Sequence, residues 1–344
     1  MTTTDFAVRA AAHRNRTEPT GETEMCSAIR SHALVRQYGE VTAVDGVDLD
    51  VAAGEIYGFL GPNGAGKSTT VRMLCTLIAP TSGSAMVAGF DVAADPGAVR
   101  LRIGVALQEA ALDPRQTGSE LLRLQGLLYG LTRSDANRRV AELGELIDIG
   151  DALERRISTY SGGMRRRLDL AAALVHNPQI LFLDEPTTGL DPVSRAAVWE
   201  EVRRLNVELG MTIFLTTQYL EEADVLADRV GIIDAGRLVA EGTPTDLKRS
   251  IGTDVIVARL DRDASTVCAA IEQVAGVLSV EARGTELIVA VSDGSTAVSP
   301  VAVALSACDV SVRDLTLRTP TLDDVFLELT GNRIQHDDNE GIGS

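Results

Sequence analysis

Positive charge is in short supply in this sequence. Across 344 residues, 49 Asp and Glu outweigh 32 Lys and Arg, giving a formal net charge of −17 and a sequence pI near 4.7. That balance excludes the basic face required for nonspecific nucleic-acid binding or for adhesion to anionic lipid. No nucleic-acid partner is expected, and any membrane association should run through a protein partner. No window approaches the roughly 18 consecutive apolar residues of a spanning helix, and the N-terminus has no apolar segment of a secretion signal, so a cytosolic protein is expected. Cys26, Cys75, Cys268 and Cys308 are scattered without a CxxC pair or a nearby His cluster, which suggests neither a disulfide frame nor a zinc site. Lysine is almost missing: of the 32 basic residues, all but Lys67 and Lys248 are arginine. What is present, 45% hydrophobic and 24% charged residues, is ordinary for a globular chain with one large domain and a smaller one.

One of the two lysines stands in Gly61-Pro62-Asn63-Gly64-Ala65-Gly66-Lys67-Ser68-Thr69, the GxxxxGK[ST] pattern of a phosphate-binding loop. The apolar run Glu55–Leu60 leads into it as a buried strand, and helical spacing of Val71, Leu74 and Ile78 predicts a helix over Thr69–Ile78. Glycines at 61, 64 and 66 let backbone N–H groups approach phosphate oxygens, with the positive end of the helix behind them. Lys67 supplies a compact ammonium for the β and γ phosphates.

A second pattern, Ile180-Leu181-Phe182-Leu183-Asp184-Glu185, is a buried strand ending in two carboxylates. Adjacent buried acids are costly unless they hold a cation or a proton. Asp184 is expected near a Mg²⁺ that Ser68 ligates through its hydroxyl, and Glu185 is expected to polarise the attacking water as general base.

Residues 1–27 show no periodicity and read as a disordered leader. Met25 just ahead of the first element leaves residues 1–24 as a dispensable extension or a start placed too early. Over 28–248 the strands Ile103–Leu107, Ile180–Leu183, Thr212–Thr216 and Val230–Ile233 alternate with helices, predicting an α/β domain with a central sheet. It carries a helical insert at about 109–160, with helices over Glu120–Leu131 and Asp135–Ile149. Over 251–330 the order strand Val255–Leu260, helix Ser265–Val274, strands Val277–Glu281 and Leu287–Val291, helix Ala297–Ala307, strand Val310–Leu317 predicts a small α+β ferredoxin-like domain. Residues 331–344 read as a flexible polar tail.

The third pattern is Tyr160-Ser161-Gly162-Gly163-Met164, followed by a helix Arg165–Leu174. Ser161 suits an N-cap, and the glycines allow close approach at an anion-attracting helix start. Arg165, Arg166 and Arg167 oppose the helix dipole unless an anion arrives, or else form a solvated charged face. With this pattern in place, the chain resembles the ATP-binding subunits of ABC transporters over about 30–245. The segment Thr216–Ala223, the Met164–Arg167 run and the appended C-terminal domain look most like the daunorubicin/doxorubicin-resistance type of exporter ATPase.

The resemblance implies a P-loop ABC ATPase fold with ATP and Mg²⁺. It implies Tyr38 as the aromatic stacking on adenine, and Gln108 beside the metal, linking nucleotide to the membrane partner. Gly189-Leu190-Asp191 matches the loop that crosses a dimer interface. Each nucleotide in this family lies between one subunit's phosphate loop and the other's signature, so Ser161, Gly162, Gly163 and Asp191 are expected to contact ATP held by the partner subunit of a homodimer. Where the family usually has His, this chain has Gln218, whose amide can donate a hydrogen bond but carries no charge; it is expected to assist Glu185. Tyr160 and Met164 also depart from the commonest Leu and Gln. The function expected is ATP hydrolysis powering export of a drug-like or lipid-like compound through a separate membrane permease, with this chain peripheral on the cytoplasmic side of the cell membrane. A non-transport ABC ATPase acting in translation, DNA maintenance or metal-cluster assembly, and a nucleotide-sensing module, are the rival readings.

Overall fold

A computed structural model describes residues 27–107, 112–308 and 310–330. Gln108, most of the expected leader and the expected tail lie outside the described residues. The chain divides into two compact units, one running to Glu241 and the other starting at Gly242.

In chain order the first unit contains β1 (Ser27–Tyr38), β2 (Val41–Ala52), β3 (Ile56–Leu60), α1 (Lys67–Leu74), β4 (Ser82–Val87), β5 (Phe90–Asp91), α2 (Pro96–Arg100), β6 (Ile103–Ala106), α3 (Gly118–Leu128) and α4 (Arg133–Leu146). It continues through α5 (Gly162–Leu174), β7 (Ile180–Asp184), α6 (Pro192–Leu209), β8 (Thr212–Thr217), α7 (Leu220–Leu226), β9 (Arg229–Asp234) and β10 (Arg237–Gly242). Six of these strands form the central sheet in the order β10-β9-β3-β8-β7-β6. Strands β3, β7 and β8 are buried along their whole length, as expected of parallel strands covered on both faces. The Phe214 ring packs against Tyr57, Phe59 and Phe182 with centroids 5.4, 5.5 and 5.6 Å away, fixing three neighbouring strands to one another. Parallel register pairs Leu60 with Thr217 and Asp184 with Thr216. The loop after β3, the acids ending β7 and Gln218 after β8 therefore emerge side by side at one sheet edge, the usual ligand edge of such sheets.

A second, antiparallel sheet of order β2-β1-β4-β5 has no counterpart in the sequence reading. Its two 12-residue strands carry repeated register shifts, which break the strict alternation that marks a strand. Helix α1 begins at Lys67 rather than Thr69 and stops at Leu74, four residues before the predicted end, because Thr76 turns left-handed at φ 61°. The insert helices α3 and α4 start on Thr117 and Thr132, each hydroxyl accepting the backbone N–H three residues on.

The second unit comprises α8 (Pro244–Ile251), β11 (Asp254–Leu260), α9 (Cys268–Ile271), β12 (Val277–Arg283), β13 (Glu286–Val291), α10 (Gly294–Ala307), β14 (Val312–Arg318) and α11 (Leu322–Thr330). Its antiparallel order β12-β13-β11-β14 is that of a ferredoxin-like sheet. The helix expected over Ser265–Val274 is a single α turn after a 3₁₀ turn at Ala264–Thr266. The flanking helices α8 and α11 were not foreseen. Ile256, Ala258, Leu260, Leu287, Val289 and Val291 face Val301 and Leu305 of α10 in its own core.

Candidate functional site

The loop between β3 and α1 is shaped by the protein's own backbone as much as by any ligand. A Cβ on Gly61 would sit 2.3 Å from the Ile233 carbonyl oxygen, and one on Gly66, at φ 108°, 2.5 Å from that of Ala43. Neither position admits a side chain. Gly66 caps α1 without a side-chain bond, so the first N–H groups of the helix point into the loop with no internal acceptor. Lys67 reaches back across it, donating to the carbonyls of Gly61 at 2.7 Å and Pro62 at 3.1 Å. Its Nζ lies 3.4 Å from Glu185 Oε1, both side chains buried. Burial pushes the ammonium below the usual lysine value, and the carboxylates of Glu185 and Asp184 oppose that shift.

Asp184 Oδ1 accepts from Ser68 Oγ at 3.2 Å and from Thr216 Oγ1 at 2.5 Å. A hydroxyl and a buried carboxylate this close form a hard-oxygen pair that fits a divalent cation such as Mg²⁺. Glu185 adopts φ 48°, sparsely populated for a residue with a side chain. Its N–H is held by both the carbonyl and the hydroxyl of Thr216 at 3.1 and 3.0 Å, and Oε2 accepts from Thr188 Oγ1 at 3.3 Å. The sequence reading gave Thr216 no role, yet this one hydroxyl orients both acids.

Gln218 is buried just past β8, and β8 lies between β3 and β7, so Gln218 leaves the sheet between the phosphate loop and the acids. Four residues on, Glu222 is fully buried. Its Oε1 accepts from Thr187 Oγ1 and Trp199 Nε1, each at 3.0 Å. Burial pushes this carboxyl up, while Thr217, Trp199, Thr187 and Arg195 pull it back. The Arg195 guanidinium stacks 4.5 Å over the Tyr219 ring. Sequence reasoning passed over this network.

Ser161 caps α5, its hydroxyl accepting from Met164 N at 3.3 Å, and remains exposed with Gly162. Gly162 lines a cleft of about 250 Å³ with Arg165, Arg166, Glu185, Thr188 and Leu190. The arginine run is not one face. Arg167 pairs with Asp148 at 3.6 Å, whereas Arg166 is buried, pairs with Asp169 at 3.2 Å and donates to the Leu107 carbonyl at 3.1 Å. Asp191 caps α6, accepting from Val193 N, Ser194 N and the Ser194 hydroxyl. The Ser194 bonds hold its carboxyl below the usual range.

Tyr38 ends β1, the residue 44% exposed, with the Arg36 guanidinium 4.5 Å over its ring. It stands on the β1–β2 hairpin whose Ala43 abuts Gly66. The strand that leads to Gln108 borders a groove of about 380 Å³ between core and insert, lined by Leu77, Arg100, Leu107, Leu121, Gln125 and Tyr129 among others. Among the described residues, no helix is long and apolar enough to cross a membrane.

Comparison with known proteins agrees with this architecture. Residues 44–188 match the ABC transporter family, and residues 242–330 match the C-terminal domain of DrrA1-3-like ATP-binding proteins. The chain is 48% identical to the daunorubicin/doxorubicin resistance ATP-binding protein DrrA of Streptomyces peucetius, over 90% of this chain and 94% of that protein. It is 37% identical to the linearmycin resistance ATP-binding protein LnrL of Bacillus subtilis, over 89% and 99%. Among solved structures, an ATP-binding subunit of an ABC transporter superposes with a TM-score of 0.58 at 28% identity, covering 65% of this chain and 93% of that one. A dimeric ATP-binding cassette in a post-hydrolysis state with ADP and Pi shares the fold with a TM-score of 0.57 at 24% identity, over 62% and 98%. The chain belongs to the ATP-binding proteins of the ABC transporter family, of the kind that carries a DrrA-like C-terminal domain, and is an ATPase.

Proposed function

We propose that this ATPase drives export of a drug-like or lipid-like compound through a separate membrane permease, working as a homodimer with MgATP at two shared sites. The observation that carries the reading is the buried cluster of Lys67, Ser68, Asp184 and Glu185 at the ends of β3 and β7. In it a cation, a hydroxyl and two acids stand where the phosphate loop delivers a nucleotide. Lys67 binds the β and γ phosphates, exchanging Glu185 for phosphate oxygens. Glu185, released from that ion pair, takes a proton from the attacking water. Ser68 and Asp184, together with Gln108, would hold Mg²⁺, which would neutralise charge building on the phosphates. Gln218 donates a neutral hydrogen bond toward the γ-phosphate, and Tyr38 stacks on adenine. Ser161, Gly162, Gly163 and Asp191 of one subunit close over the nucleotide of the other. Loss of the γ-phosphate then lets the halves part and resets the permease.

Export is supported by the relatives, which are resistance ATP-binding proteins and, at 39% identity, a Nod factor export ATP-binding protein of Cupriavidus metallidurans. The groove beside α3 and β6 is the proposed permease contact, which would place the chain at the cytoplasmic side of the membrane. Glu185→Gln tests the chemistry: hydrolysis should fall by about a thousandfold or more while MgATP traps a dimer on size exclusion. A monomer with normal turnover overturns the assignment. A tagged chain should co-purify with an integral-membrane protein after mild detergent extraction; recovery with ribosomes and no membrane protein would favour the non-transport reading.

A further inference from the structure

A carboxylate withdrawn entirely from water, and outside the cluster assigned to chemistry, needs a reason to be there. Glu222 joins three segments that are far apart in sequence. Its Oε1 takes hydrogen bonds from Thr187, two residues after Glu185, and from Trp199, two turns into α6. Its own helix α7 begins two residues after Gln218. The carbonyl of Thr187 in turn accepts the N–H of Leu190 at 3.1 Å, so the same anchor holds the Gly189-Leu190-Asp191 loop. On the other side, the Thr217 hydroxyl accepts from Tyr219 N at 2.8 Å, and Arg195 covers the Tyr219 ring. The segment carrying Gln218 is thus pinned to α6, which also carries Arg195 and Trp199.

We propose that Glu222 is a positioning residue for hydrolysis: through hydrogen bonds to Thr187 and Trp199 it fixes the Glu185 loop and the Gln218 segment relative to each other. The inference rests on the reading that Glu185 and Gln218 face the γ-phosphate. Glu222 is fully buried, so its proposed role is exerted through the groups it holds rather than on the nucleotide. It acts by removing freedom from two loops that must agree in position when the γ-phosphate arrives, and misplacement of either is paid in rate rather than in binding.

Three variants and one built-in probe test this. Thr187→Val deletes a single donor at constant shape, and should lower kcat by about threefold to tenfold with KM for ATP within about twofold. Glu222→Ala should lower kcat by about tenfold or more. Glu222→Gln should keep most of the rate, because an amide oxygen can still accept both donors. Trp199 is the chain's single tryptophan, so its emission reports on the anchor. In the wild type a non-hydrolysable ATP analogue should change that emission, whereas Thr187→Val should bind the analogue equally well with a diminished change. Unaltered kcat in Thr187→Val overturns the proposal, as does a loss confined to KM, or Glu222→Gln no better than Glu222→Ala. If Glu222→Ala fails to fold, Thr187→Val decides. Should Glu185→Gln abolish hydrolysis while Thr187→Val stays normal, this inference alone falls; normal turnover in Glu185→Gln removes the reading beneath it.

Discussion

The two helix starts proposed to meet the nucleotide's phosphates, at α1 and α5, are built differently. At α1 the cap is a glycine, and a buried lysine spans the loop to its carbonyls and to Glu185. At α5 the cap is an exposed serine already bonded to Met164 N, and the buried cation, Arg166, sits a turn further along, tied to Asp169 and the Leu107 carbonyl. Each start has a buried basic–acidic pair behind it, but only at α1 does the cation reach across the opening, donating to the Gly61 and Pro62 carbonyls, while Arg166 is engaged by Asp169 and the Leu107 carbonyl. The α1 end can therefore hold a phosphate unaided, with charge and backbone donors together. The α5 end offers backbone donors and a hydroxyl from an exposed position, suited to close over a phosphate that something else already holds.

Substitutions at the two starts should fail in different ways. Lys67→Ala should show the larger loss, about a hundredfold to a thousandfold in kcat/KM, with weakened binding of a non-hydrolysable ATP analogue measured by calorimetry. Gly163→Asp places a carboxylate at the α5 opening. It should cut kcat by about a hundredfold while leaving analogue affinity of the isolated chain within about twofold. If both variants lose affinity equally, the division of labour is wrong. Gln218→Ala, between the two, should cost about tenfold in kcat, and an unchanged kcat at saturating ATP would make it a bystander.

The first start was easier to read from sequence than the second, for a physical reason. Gly61–Ser68 and the Asp184-Glu185 strand end are contiguous patterns whose chemistry is local. The roles of Arg166, Thr216 and Glu222 depend on residues brought close only by the fold. Glu222 lies within Leu220-Glu221-Glu222-Ala223, where nothing local separates a buried acid from the exposed one beside it; Trp199 and Thr187, 23 and 35 residues earlier, decide which is which. The arginine run likewise offered an even choice between an anion site and a solvated face, and packing answered with one arginine buried and another paired at the surface. The central sheet was legible because buried parallel strands are continuous apolar runs. The antiparallel sheet was hidden by its register shifts.

The smallest expected effect is a difference in how the two buried pairs respond to pH. Burial pushes the Asp169 carboxyl up to about 6, against the pull of Arg166. Between the ordinary aspartate value near 4 and that raised value, the folded chain holds a proton that the unfolded chain lacks, so stability falls as pH rises through this window. Above it the group is ionised in both states, and the penalty, on the order of 3 kcal/mol, is present in full. Lys67 has the opposite sign: its lowered value means the unfolded chain binds the extra proton, so its contribution to stability rises with pH, in the alkaline range. Urea unfolding followed by Trp199 fluorescence reports on the first unit. From about pH 7 down to about pH 5.3, kept above the sequence pI of 4.7, the Asp169 contribution should strengthen that unit. The doubly substituted Arg166→Met/Asp169→Leu chain, which replaces the pair by apolar groups and leaves no buried charge unpaired, should lose that part of the slope, while Lys67→Ala should keep it. An identical slope in all three chains would mean that the pair behind α5 does not titrate as its burial demands.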